Sequence, residues 1–330
     1  MRLKKLLIVL AIVGLSASLG SAAAYMRGGS GVFKFEPVEG KWLDVMYNGK
    51  RIARYMCGHD TSDAAKTFET YKPFLHVYDP TNGRLLTNGP DGENPYVANK
   101  ITYPHHRGIF IGWNKTKFND KSYDLWHMPR AHQVHQEFSA LQTKANSAQF
   151  TSVVKWNDDK GEPIIVENRT MTFHDPGTDT GMKGGDPAVV IDFDTELKAV
   201  RGDVYLDGDP EHAGMQYRPH NDVASGPAEG KAKYLFHADG IDPKKDKDLP
   251  WVVLKYELDG KSYVVQYMNH PSNPKSAIYS AYRDYGRFGS FFKTTIKKGE
   301  TLKLHYRIWI GRGDMPTRAD AAGNYASYLK

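Results

Sequence analysis

Apolar and polar side chains alternate with a period of two along much of the chain. The clearest stretch is Leu302-Lys303-Leu304-His305-Tyr306-Arg307-Ile308-Trp309-Ile310, where even positions are apolar or aromatic and Lys303, His305 and Arg307 point the other way. Such alternation puts one strand face on a core and the other toward solvent or a cleft. Runs at 41–47 and 51–56 flank Asn48-Gly49, a dipeptide that tolerates the positive φ of a tight hairpin turn. Runs at 73–79 and 84–87 flank Thr81-Asn82-Gly83, and runs at 251–258 and 262–268 flank Asp259-Gly260. A polar stretch at 157–161 separates 150–156 from 164–173, and residues 189–198, 290–296 and 302–310 add further runs. This pattern predicts an all-β chain, a large antiparallel two-sheet β-sandwich. Helical spacing is confined to the tail at 318–329, where Ala322, Tyr325, Ala326 and Leu329 predict a short C-terminal helix capping an edge or end of the sandwich. Segments rich in Gly, Asp and Pro at 175–187, 224–230 and 239–250 read as loops.

The first residues bear on compartment. Arg2, Lys4 and Lys5 precede an apolar run at 6–19, and Ser21-Ala22-Ala23-Ala24 supplies small residues at a cleavage position. That order predicts a signal peptide at 1–24, a mature chain from Tyr25, and a periplasmic or secreted location. The run is short of the roughly 20 apolar residues a membrane span needs, and no later run approaches that length. Residues 25–330 are expected to form a single β-sandwich domain. Of the formal net charge of +6, three charges lie in the leader, and no run of five like charges follows. The concentrated basic stripe of a nucleic-acid binder is absent. Cys57 stands alone, which excludes an intramolecular disulfide and predicts a buried, inert thiol.

Thirteen histidines carry most of the candidate chemistry, and several cluster. In Tyr103-Pro104-His105-His106-Arg107-Gly108, adjacent strand residues would point to opposite faces, so both histidines serve one site only if the segment is a loop. His106 and Arg107 are expected to bracket a turn, as a base or ligand beside a guanidinium that holds an anion. The same pair also suits a buried histidine and a salt-bridged arginine. Trp126-His127-Met128-Pro129 departs from the spacing of a helical zinc motif, and His127 stands beside a tryptophan suited to stacking on a sugar. In His212–Asn221 strand alternation would align Gln216, Arg218 and His220, with His212 and Gly214 in phase. Such polar groups are costly to bury, so this face is expected to line a cleft. Asn269-His270-Pro271-Ser272-Asn273-Pro274 and Tyr282-Arg283-Asp284-Tyr285-Gly286 read as rigid loops.

Taken in order, residues 103–113, 214–218 with the polar pair that follows, His270-Pro271-Ser272-Asn273-Pro274, and the closing Gly299-Glu300 and Tyr306-Arg307 resemble an exported family of unknown function often labelled "methane oxygenase PmoA". The resemblance spans roughly residues 45–313. It implies an exported β-sandwich similar to sugar-processing supersandwich folds, often encoded beside carbohydrate-catabolism genes, with no established reaction. The characteristic positions of the family fall on His105, His106, Arg107, Arg218, His270 and Asn273.

Two functions follow as expectations. The first is a carbohydrate-active lyase or hydrolase, with His106, Arg107, Arg218 and His220 converging on one cleft for acid–base and oxyanion chemistry. Glu167, beside Arg169, is the carboxylate best placed for a hydrolase. Trp113, Trp126, Tyr217, Gln216, Asn221, His270, Asn273 and Tyr282 would contact substrate. A divalent metal ion held by His105, His127 and His212 is a variant of that chemistry, and the one cofactor expected. The second is a non-catalytic glycan-binding module in which Trp113, Trp126, Tyr217 and Tyr282 stack on sugar rings. Carbohydrate is the partner in both.

Overall fold

The computed structural model describes residues 33–175 and 186–330, so the leader expected at 1–24 and most of the loop expected at 175–187 lie outside the described residues. Its strands, in chain order, begin with Phe33–Val38 (β1), Trp42–Tyr47 (β2), Lys50–Met56 (β3), Phe74–Val77 (β4), Ile109–Phe118 (β5) and Lys121–Leu125 (β6). Four long strands follow: Gln133–Lys144 (β7), Ser147–Asn157 (β8), Pro163–His174 (β9) and Asp186–Ala199 (β10). Then come Val204–Asp207 (β11), Ala213–Tyr217 (β12), Lys233–Phe236 (β13), Trp251–Leu258 (β14) and Lys261–Asn269 (β15). Ile278–Tyr279 (β16), Phe288–Phe291 (β17), Thr294–Ile296 (β18) and Thr301–Arg312 (β19) complete them.

Two antiparallel sheets result. One runs β1-β2-β3-β4-β5-β12-β17-β16 with β6, β11 and β18 attached, and the other runs β13-β14-β15-β19-β10-β9-β8-β7. The protein is a two-sheet β-sandwich. Strand β8 alternates buried and half-buried positions along its whole length, as period-two patterning requires. Its inward residues Phe150, Val154 and Trp156 join Ile111, Trp113 and Met215 of the facing sheet in one buried cluster. Polar ties cross that interior, with the Tyr217 and Tyr256 hydroxyls 2.9 Å apart and Tyr267 Oη 3.0 Å from Ser290 Oγ.

Two expectations change here. The C-terminal helix, Arg318–Tyr328, covers a sheet face instead of capping an edge. Val190, Trp251, Val253, Val264, Met268 and Trp309 make the outer side of the second sheet apolar, and Ala321 of the helix packs into them. Gln266 anchors it further, donating to the Ala321 carbonyl at 2.8 Å. The polar face expected across residues 212–220 forms only as far as β12 reaches: Ala213, Met215 and Tyr217 join the core, which leaves Gly214 and Gln216 on the opposite face. Gly214 takes φ +82°, and a Cβ there would stand 1.9 Å from the Ser290 carbonyl oxygen, so only glycine fits this close approach. The strand ends at Tyr217, and His220 caps a short helix, Asn221–Ser225, through its Nδ1.

The candidate site stands on the outer face of the first sheet. Ile109, Ile111 and Trp113 of β5 face the core, whereas Phe110 packs outside with Phe74 and Trp126 in a separate cluster. That outer cluster is the floor beneath the histidines.

Candidate metal centre

The segment Thr102–His106 is a turn, and its backbone carbonyls are held by donors from distant parts of the chain. Arg218 donates to the Thr102 carbonyl at 3.2 Å, and Tyr96 Oη to that of Pro104 at 3.1 Å. Lys72 Nζ donates to the His105 carbonyl at 2.9 Å, and Asn88 Nδ2 to that of His106 at 2.7 Å. Within the turn His106 N–H donates to the Tyr103 carbonyl at 3.0 Å, and Asn221 Oδ1 accepts from Thr102 N–H at 2.9 Å. Backbone outside strands and helices must find such partners when buried. The result is a rigid loop. Because it is a turn, His105 and His106 present their rings to the same place, 4.2 Å apart between centroids.

Two other loops bring imidazoles to that place. His212 lies 5.7 Å from His105 and 5.5 Å from His106, while His127 lies 4.5 Å from His105 and 4.9 Å from His212. One ring nitrogen from each of His105, His106 and His212 falls within 4.8 Å of the others. His105 Nε2 and both ring nitrogens of His106 are buried without a hydrogen-bond partner. Buried polar atoms left unpaired are rare and costly, and three on two adjacent rings call for a ligand. A tetrahedral cation with Zn–N bonds of about 2.0–2.1 Å would draw its nitrogens to about 3.3 Å from one another, a small inward turn of the rings.

The outer carboxylates suit such a centre. His127 Nδ1 lies 2.8 Å from Asp124 Oδ2, and His212 Nδ1 lies 2.9 Å from Asp209 Oδ1. A carboxylate at Nδ1 holds the proton there and leaves Nε2 as the free lone pair, the arrangement of metal-bound histidines. Each aspartate precedes its histidine by three residues and also accepts backbone N–H groups of its own turn, at 2.8 Å from His127 and 3.0 Å from Glu211. Burial is the largest influence and opposes the charge of both aspartates, but hydrogen bonds to the imidazoles, the imidazole charge and further hydrogen bonds together hold both carboxyls below the usual range. Burial, then the nearby His127 and Lys72, pushes His105 down to about 2. Burial, then Arg287, holds His106 far below its ordinary value. Both rings are therefore neutral donors of lone pairs at neutral pH.

The rim carries backbone strain. Tyr103 and Met128, each next to or near a site histidine, adopt φ of +54° and +55°. Bulky residues reach this region at a cost of about 1–3 kcal/mol, and such strain gathers at functional sites. The strain turns the Tyr103 ring over the turn, 5.7 Å from His106 and 5.0 Å from Tyr285, and leaves it 47% exposed.

A family model of unknown function, DUF6807, matches residues 42–326. The chain belongs to this family. The match supports the expected kinship with an uncharacterised family, and the methane oxygenase label is not part of its description. No curated protein matches the chain. Among solved structures the chain is similar to heparan sulfate lyase HepC from Pedobacter heparinus, at 10% identity and a TM-score of 0.44. That likeness covers 88% of this chain and 38% of the lyase, and at this level it bears on neither activity nor substrate.

In this family member the other sequence candidates take varied places. Arg107 is wholly buried and turned away from the histidines, donating to the carbonyls of Phe68 and Glu69 at the end of the helix Ala64–Thr70. Arg218, also wholly buried, donates to the carbonyls of Tyr285 and Thr102, and so supports the turn from behind. His220 faces a different cavity of about 450 Å³, shared with Arg84, Asn88 and Tyr96. The expected convergence of His106, Arg107, Arg218 and His220 is therefore absent at the level of side-chain tips. Glu167 is no surface acid. It lies in the sandwich interior, bonded to Arg169 at 2.8 Å and accepting from Trp156 Nε1 at 2.7 Å and Thr195 Oγ1 at 2.8 Å.

The expected stacking platform is mostly interior. Trp113, Trp126 and Tyr217 are fully buried, and Trp113 Nε1 donates to the Phe292 carbonyl at 3.1 Å. Trp126 stands beneath the centre, 5.8 Å from His106. Gln216 is buried and accepts from Arg287 at 3.0 Å. Tyr282 donates to Glu211 at 2.9 Å, one residue from His212. His270 and Asn273 sit at the second sheet, where Asn273 Nδ2 donates to the His305 carbonyl at 2.7 Å and staples its loop to β19. Burial pushes the Cys57 thiol up to about 12, which removes it as a nucleophile.

Sequence reasoning missed Lys72, Asn88, Tyr103, Asp124, Asp209, Tyr285 and Arg287. For two of them a signal existed. Asp124-Leu125-Trp126-His127 and Asp209-Pro210-Glu211-His212 repeat one Asp-X-X-His spacing. Two cavities share a single residue each with the surroundings of the centre, one of about 480 Å³ bordered by Trp42, Lys66 and Lys72, the other of about 430 Å³ bordered by Asp124 and Arg130, and none of the four histidines lines either.

Proposed function

We propose that the chain is an exported carbohydrate-active enzyme, a lyase or hydrolase, assisted by a divalent cation held by His105, His106 and His212. The observation that carries this reading is the set of buried, unpartnered ring nitrogens converging at one point. Imidazole donors with carboxylates behind them suit zinc or a similar first-row ion. A cation there would supply Lewis acidity toward a carbonyl or hydroxyl oxygen. The chain supplies the rest. His127 keeps Nε2 free while Asp124 holds Nδ1, and it is about one-third exposed, which suits a group that accepts a proton from substrate. Tyr103 offers its exposed ring as a wall against which a sugar face can pack. The carbohydrate assignment follows from the family resemblance, and export from the leader pattern at 1–24, which N-terminal sequencing of the secreted chain tests.

The test is a screen of neutral oligosaccharides, keto-glycosides and uronate-containing glycans, with chelator and with added zinc. Turnover should need the metal. His127→Ala should lower it about a hundred-fold or more, whereas His220→Ala should stay near the parent rate. Metal-independent turnover, or loss of activity at His220 and not at His127, contradicts the proposal. Glycan binding without turnover would favour the binding-module function, for which the burial of Trp113, Trp126 and Tyr217 leaves little platform.

A further inference from the structure

The surroundings of the histidines hold more buried positive charge than the chain neutralises. Arg107, Arg218 and Arg287 are each 0% exposed. Arg107 and Arg218 donate to backbone carbonyls, and no carboxylate pairs with either among the described residues. Arg287 donates to Gln216 at 3.0 Å and Ser280 at 2.8 Å, its nearest carboxylate being Glu211 at 3.6 Å. Glu211 is already engaged by Arg283 and Tyr282. Lys72, 1% exposed, bonds only to the carbonyls of His105 and Trp126, and burial, then Arg107, pushes its ammonium well below its ordinary value, so the excess charge is that of the guanidiniums. The two remaining carboxylates, Asp124 and Asp209, are spent on His127 and His212.

Guanidiniums stay charged at any physiological pH, and buried charge without a counter-ion is expensive. Geometry joins these charges to the centre: Arg218 holds the Thr102 carbonyl of the histidine turn at 3.2 Å and lies 4.7 Å from the Tyr285 ring, Arg287 Nε donates to the Tyr285 hydroxyl at 3.4 Å, and that ring stacks 6.3 Å from His106. A divalent cation on the histidines would widen the excess. We propose that the substrate of this centre carries an anionic group, a sugar carboxylate, and that Arg107, Arg218 and Arg287 attract it through their field while their hydrogen bonds stay with the protein. The inference rests on the histidine cluster being the reaction centre, as proposed above. It differs from the contact role expected of Arg107 and Arg218, because both guanidiniums are already engaged with carbonyls. A field from charges held in a low-dielectric wall acts over more than one bond length and strengthens as water is excluded.

The test uses matched probes on the full chain, both zinc-loaded and metal-stripped, with metal content measured in the same samples. Methyl β-glucuronide is titrated against methyl β-glucoside, and methyl β-galacturonide against methyl β-galactoside, by calorimetry. In at least one pair the uronide should bind about tenfold tighter or better, in both metal states, with an advantage that shrinks as salt rises. Arg287→Gln should reduce the advantage and Arg287→Lys should keep most of it. Should both variants misfold, the comparison within the parent protein decides alone. Equal affinity within both pairs, or no binding of any probe at millimolar concentration, overturns the inference. Metal bound without a uronide preference overturns the inference and leaves the metal centre standing. A uronide preference in protein that takes up no metal does the reverse.

Discussion

At the scale of single residues, chemistry-bearing side chains separate by what stands behind them. His127 and His212 have carboxylates at Nδ1 and partly exposed side chains, whereas His76 is sealed between Thr87 Oγ1 at 2.9 Å and the Pro90 carbonyl at 3.0 Å. Sequence brought His105, His106, His127 and His212 into view because imidazoles are chemically versatile and cluster along this chain. It could not separate buried from exposed aromatics, since Trp113, Trp126 and Tyr103 differ in neighbours that are remote in sequence. Glu167 shows the same limit. An acid beside an arginine on a strand reads as a candidate catalytic carboxylate, yet both point inward here and both are 0% exposed. Glu167→Gln leaves the Arg169 guanidinium buried without its counter-charge, so it should destabilise the fold by about 3–5 kcal/mol. Denaturant unfolding reads that loss, while turnover per folded molecule should remain near the parent value. Unchanged stability would show that the pair contributes nothing to the interior.

At the scale of elements, the strands were legible and the loops were not. Period-two alternation marks a strand with one wet face, and β8, β9 and β19 display it. The same logic placed the C-terminal helix poorly, although the near-continuous apolar runs of β14 and β15 are what a sheet covered on both faces should show. The histidine turn was legible only as a breaker sequence, because its geometry depends on donors spread from Lys72 to Asn221. Asn221 is one of these, a positioning residue that holds Thr102 N–H and never reaches the centre itself. Asn221→Ala should therefore weaken metal binding by about tenfold or more, in the range of second-sphere losses, while thermal unfolding of the metal-free protein shifts little. A zinc titration beside a melting curve separates the two. Equal metal affinity would mean the turn is held well enough without it.

At the scale of the whole molecule, buried ionisable groups set an acid limit on stability. Burial pushes His76 down to about 4. An unfolded histidine titrates near 6.5, so between these values the unfolded chain binds the extra proton. Stability from this group is thus fully present above about pH 6.5 and is lost as pH falls toward 4, by roughly 3 kcal/mol in all. Asp192 acts lower on the scale. Burial opposes its charge, but hydrogen bonds from Arg307 and His174 hold its carboxyl below the usual range. Its contribution is present above about pH 4 and disappears as pH falls through the lowered value. Urea midpoints from pH 7 to 4.5 should fall steadily, and His76→Gln should flatten the part of the curve that His76 causes. A parent curve with no slope in that window would contradict the burial of a neutral histidine.

Two loops of the β-sandwich carry the proposed cation ligands, His105 and His106 on one and His212 on the other. Calorimetric titration of zinc into chelator-treated protein, parent beside His106→Ala, tests this assignment most directly. The parent should bind about one equivalent with micromolar affinity or better, and the variant about a hundred-fold more weakly. Failure of the parent to bind zinc or any other first-row divalent ion, or equal binding by His106→Ala, would contradict it.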